Sequence, residues 1–128
     1  MSLRAPLARA INHGAAHEGV SHWVVQRVTA VAIAPLVVWL VWQLLALPDI
    51  AYATVSAWIA HGFNPVLLSL VVVLASWHGW LGVQIVVEDY LHGAALKITL
   101  LLLSTFLHVL LAATGVYAIV QAALRGVR

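Results

Sequence analysis

Three stretches of the chain carry no Asp, Glu, Lys or Arg: Val28 to Pro48, Ile50 to Val87, and Ile98 to Leu124. A membrane-spanning helix needs about 20 mostly apolar residues, so the first and third stretches each hold one span. The middle stretch is broken by "HGFNP", His61 to Pro65, whose Gly and Asn-Pro favour a turn, and one full span follows it from Val66 to Val87. The pattern predicts transmembrane helices over about residues 24–47, 65–88 and 96–123. Between the first two spans, Ile50 to Ala60 is too short to cross and has Tyr52 and Trp58 near its ends, which predicts a helix lying in the interface. The expected fold is an all-α membrane protein of one membrane-anchor domain, residues 1–128, with an N-terminal arm over residues 1–20.

Composition sharpens this reading. Of the 128 residues, 64% are hydrophobic and only 8% charged, the mean hydropathy is +1.04, and soluble domains carry roughly one-quarter charged residues. A water-soluble domain is thereby set aside. Cysteine is absent, so disulfides and thiolate ligands are excluded and any metal must be held by nitrogen or oxygen. No apolar run with a small-residue cleavage site precedes Arg27, so the first residues are read as an arm and not as a cleaved leader. Arg4, Arg9, Arg27 and Lys97 fall on one side of the predicted spans and Arg125 and Arg128 on the other. The positive-inside rule then places the N-terminus and the loop around Glu88 to Lys97 in the cytoplasm or an equivalent matrix. The net charge of +2 bears on little beyond this topology, and no nucleic-acid partner is expected. Three helices are too few to enclose a site at mid-membrane, so the chain is expected to complete its bundle with a partner.

The chemistry gathers in "ASWHGWLGVQIVVEDY", Ala75 to Tyr90. On a continuous helix His78, Gly82, Ile85 and Asp89 share one stripe, while Tyr90 lies about 120° around from His78 and roughly 18 Å further along the axis. Ala75, Gly79 and Gly82 surround the histidine with small side chains, which admits a neighbouring helix or a flat cofactor close to the backbone. A neutral imidazole in a bilayer has one donor and one acceptor to satisfy, and leaving them bare costs several kcal/mol. A hydrogen bond to an adjacent helix would serve. So would axial ligation of a haem iron, with the second ring nitrogen held by an acceptor on a neighbour.

His108 is expected at a similar depth on the antiparallel third span, as a hydrogen-bonded interior residue or, alternatively, a metal ligand. Arg27, in "SHWVVQRVTA", is either a topogenic charge reaching the headgroups or a clamp for a carboxylate or a quinone oxygen. His22, Trp23, Gln26 and Thr29 add donors within the same turns. Tyr90 and Asp89 are either belt and helix-end residues or a phenol and a carboxylate serving a quinone head, and His92 could join that proton path. Trp39, Trp42, Trp77 and Trp80 are read as packing or interface residues.

The pattern His78-x-x-x-Gly82 followed by "EDY", after a first span opening on "QRVTA", resembles the small hydrophobic membrane-anchor subunits of succinate dehydrogenase, respiratory complex II. The resemblance implies as partners a sister anchor subunit, an iron–sulfur subunit, and a flavoprotein subunit. It implies a b-type haem between the two anchors and electron flow from succinate to ubiquinone. By position, His78 matches an axial haem ligand, Tyr90 and Asp89 match a quinone-binding pair, and Arg27 matches an arginine beside the haem propionates. Succinate oxidation itself would occur on another chain of the complex. The short arm before the first span favours a bacterial cytoplasmic membrane over a mitochondrial one. His108 and Glu88 have no assigned place in that pattern. The competing readings are a non-redox transporter or scaffold subunit, and a cytochrome b anchor of another quinone-linked complex.

Overall fold

The computed structural model describes residues 15–126, which form four helices: α1 (Ala15–Leu45), α2 (Tyr52–Ala60), α3 (Asn64–Tyr90) and α4 (Ala94–Gly126). Arg4, Arg9 and Arg128, which enter the orientation expected above, lie outside the described residues. The helices α1, α3 and α4 are each long and apolar enough to cross a membrane. At 1.5 Å per residue the 27 residues of α3 extend about 40 Å, which exceeds the hydrocarbon core of roughly 30 Å. Helical hydrogen bonding does not stop where hydropathy falls, so each of the three extends past its charge-free stretch at one end or both; α1 continues through Pro35.

The turn expected at "HGFNP" is present. Gly62 takes a φ of +55°, which a residue without Cβ adopts at little cost, and Pro65 falls in the first turn of α3, where an amide hydrogen has no helical acceptor. The Asn64 side-chain amide donates to the Trp58 carbonyl at 2.7 Å and ties α2 to this turn. At the other end of α3, only Leu91 to Gly93 separate it from α4, which makes the two antiparallel neighbours. Lys97 Nζ donates to the Glu88 carbonyl at 3.0 Å, satisfying one of the acceptors left open at the end of α3.

α3 is central. It packs against α1 and α4, and those two make no backbone approach within 8 Å of each other. The short α2 lies across the C-terminal end of α4, where the Gly126 backbone meets the Ser56 carbonyl and Ala60, and Trp58 stacks on Trp39 of α1 with ring centroids 6.1 Å apart. Among the described residues only Leu81, Val87, Thr29 and Ser104 are buried, and two of those four are polar. The large apolar side chains instead face outward, as expected where lipid or a partner is the solvent.

Candidate functional site

Where α1 meets α3, polar residues replace apolar packing. His22, Gln26 and Thr29 recur at helical spacing on α1 and so share a face. Thr29 is only 3% exposed. Its Oγ1 lies 2.9 Å from His78 Nδ1 of α3 and also 2.9 Å from the Val25 carbonyl and 3.0 Å from the Gln26 carbonyl, one turn back on its own helix. The Gln26 amide nitrogen reaches His78 Nε2 at 3.5 Å, which is long for a hydrogen bond. Gly82, one turn beyond His78, lies beside it: a Cβ built there would stand 3.8 Å from that amide nitrogen, an ordinary contact. The upper part of the predicted stripe therefore faces α1. Gln26 Oε1 and His22 Nε2 are shielded from solvent and have no hydrogen-bond partner among the described residues.

His108 reaches the same level of α3 from α4, since a Cβ on Gly79 would lie 3.3 Å from its Nε2. The similar depth expected from antiparallel packing is thus realised, yet the two imidazoles engage different helices. His108 Nδ1–H donates to the Ser104 carbonyl at 2.8 Å, because a carbonyl can only accept, and its Nε2 rests against the Gly79 backbone. Beside it, Trp80 Nε1 donates to Thr105 Oγ1 at 3.0 Å, and a cleft of about 350 Å³ opens between α3 and α4, lined chiefly by Val73, Trp77, Trp80, His108 and Val109. Among the described residues no group of three or more His, Asp or Glu converges to hold a metal ion.

Asp89, Tyr90, Glu88 and His92 sit at the end of the bundle formed by the C-terminus of α3 and the N-terminus of α4, and Arg27 lies on α1 beside Gln26. Arg27 is exposed, with its guanidinium 5.3 Å from the centre of the Trp23 ring one turn earlier, a cation–π arrangement. Asp89 is exposed, and Tyr90, the last residue of α3, is 77% exposed. Glu88 accepts from the Gln84 amide at 3.1 Å. His92 lies in the exposed link to α4. The structure thus brings His78 together with Thr29 and Gln26, and leaves Arg27, Asp89 and Tyr90 open toward the surroundings. The pairing of His78 with Thr29 is not evident from either segment alone; the signal for it is the His22, Gln26, Thr29 periodicity, which marks one polar face on an otherwise apolar helix.

Comparison with known proteins agrees with this picture. The family model for succinate dehydrogenase/fumarate reductase transmembrane subunits matches residues 1–116. Among curated proteins, the succinate dehydrogenase hydrophobic membrane anchor subunit of Rickettsia conorii is 34% identical over 101 residues, covering 78% of this chain and 80% of the relative. That of Rickettsia bellii is 31% identical over 99 residues, 77% and 79% of the two chains, and that of Rickettsia prowazekii 28% over 116 residues, 91% and 93%. No solved structure matches the chain significantly. The chain, a multi-pass helical membrane protein, belongs to the family of succinate dehydrogenase/fumarate reductase transmembrane subunits.

Proposed function

We propose that this chain anchors a succinate:quinone oxidoreductase in the bacterial cytoplasmic membrane, with its N-terminus in the cytoplasm, and supplies part of a haem b site and part of a ubiquinone site. The observation that carries the reading is the setting of His78. Its Nδ1 lies 2.9 Å from Thr29, while Nε2 has only a 3.5 Å contact to a long, unbranched side chain, that of Gln26. A ring nitrogen so weakly engaged, next to the Gln26 amide whose Oε1 is shielded and has no partner among the described residues, suits a ligand to haem iron. His108, whose Nε2 would stand 3.3 Å from a Cβ on Gly79, is the alternative ligand. Haem b, held by His78 and a ligand from the sister anchor, would supply a one-electron redox couple within the membrane. Arg27, exposed near the same end of α1, is suited to pair with a propionate.

The exposed ends of α3 and α4 take the other roles. Tyr90 donates its phenol to a ubiquinone carbonyl, and Asp89 holds and orients a proton as quinone becomes quinol. Here too the iron–sulfur and flavoprotein subunits dock, the latter oxidising succinate. The open row of three helices leaves outward faces for the sister anchor. The test is His78→Ala in the full complex, purified in mild detergent. The b-type α-band of the dithionite-reduced minus oxidised spectrum should disappear while all subunits co-purify; an intact band would remove His78 as the ligand.

A further inference from the structure

We propose that Thr29 is a positioning residue for His78: its hydroxyl keeps the imidazole proton on Nδ1 and so presents the Nε2 lone pair. This role builds on the reading of His78 as an iron ligand, and its ground is the set of donors and acceptors around the ring. The Thr29 hydroxyl stands at 2.9 and 3.0 Å from two backbone carbonyls, those of Val25 and Gln26, which can only accept, so its proton goes to them and its lone pair faces His78 Nδ1. A neutral ring then carries its proton on Nδ1, which donates to Thr29 Oγ1 at 2.9 Å.

Burial makes the arrangement firm. At 3% exposure Thr29 has no water to compete for its oxygen, and its β-branched side chain on a helix is restricted at χ1. A threonine bonded only to its own helix would need no second partner. Drawing the Nδ1 proton toward an acceptor makes the ring more basic at Nε2, a stronger donor to the oxidised iron, and so lowers the haem potential.

The experiment is Thr29→Val and Thr29→Ser in the complete complex, with haem content from the reduced-minus-oxidised spectrum and midpoint potential from a redox titration. Valine keeps the shape and removes the oxygen; serine keeps the oxygen and removes the methyl. Thr29→Val should raise the midpoint or reduce haem content severalfold, with Thr29→Ser close to the unsubstituted complex. If Thr29→Val matches the unsubstituted complex in both readouts, or if serine fails as valine does, the hydroxyl has no such role. An unsubstituted complex that assembles without haem would instead count against the ligand reading. The tautomer then remains readable by ¹⁵N NMR of His78 in the full chain, where a proton on Nε2 overturns the proposal and one on Nδ1 upholds it.

Discussion

At Gly115 α4 packs tightly against Val72 of α3, and adding one methyl there tests the packing that holds the two helices. A Cβ at Gly115 would stand 2.6 Å from Val72 Cγ1, 3.5 Å from Cγ2 and 3.6 Å from Cβ. Carbon atoms prefer about 3.5–4.0 Å, so the first contact falls short by roughly 1 Å. Val72 cannot easily turn away, because a valine in a helix holds one χ1 rotamer about 90% of the time. Overpacking of this kind costs about 1–3 kcal/mol. Alanine also favours helix over glycine by up to about 1 kcal/mol, which opposes that cost. Gly115→Ala alone should therefore range from near neutral to about 2 kcal/mol destabilising. In a Val72→Ala background the nearest clash is gone and only the 3.6 Å contact with Cβ remains, so the same change should become neutral or stabilising. The coupling between the two sites should be about 1–3 kcal/mol. Equilibrium unfolding of the full chain in mixed micelles, followed by tryptophan fluorescence, measures all four corners of this cycle. Equal effects of Gly115→Ala in both backgrounds, within about 0.5 kcal/mol, would refute the close approach.

Tyr90→Phe should slow ubiquinone reduction about 10-fold or more, since a hydrogen bond to a group gaining charge contributes at least about 1.5 kcal/mol. Electron transfer to a water-soluble dye should stay largely intact, and equal loss with both acceptors would indicate failed assembly instead. Asp49, in the link before α2, has its carboxyl held below the ordinary value of 3.8, first by a hydrogen bond from the Thr54 side chain and then by the Ala51 amide, which donates to Oδ1 at 3.0 Å. Because the folded value is the lower one, this support for the start of α2 is full above the ordinary value and disappears as pH falls through the folded value. The Ala51 amide resonance should be insensitive to pH between about 5 and 8 and titrate only in more acid solution; a midpoint at or above the ordinary carboxylate value would contradict these hydrogen bonds to the carboxylate.

Much of the site is legible residue by residue, and less of it as geometry. His78 stands out because an ionisable ring inside an apolar run needs partners, and the turn at Gly62 and Pro65 follows from residue types that bend or start helices. The partners themselves are not legible. Thr29 lies 49 positions from His78, and whether it meets that ring depends on the rotation of α1 about its axis. Likewise, His108 and Gly79 are brought together by the short link between α3 and α4, while only the packed structure shows that the imidazole lies on the glycine backbone. Arg27 reads in the sequence as a clamp or a topogenic charge, and its place over the Trp23 ring comes from a spacing of one helical turn together with a side-chain conformation that only the folded helix displays.

The sequence by itself determined the number of spans, their order and the positions of the breaks. Hydropathy accumulates locally, residue by residue, along segments whose required length is set by the bilayer, and the backbone inside lipid must satisfy its own hydrogen bonds as helix. The tertiary structure alone decided that α3 is central, that Trp80 donates to Thr105, and that His78 turns to Thr29 and not to His108. All three long helices are apolar nearly all round, so no hydrophobic face dictates which sides meet. Close approach at glycines and the pairing of a few polar atoms select the rotation and register of each helix, and those contacts join residues far apart along the chain.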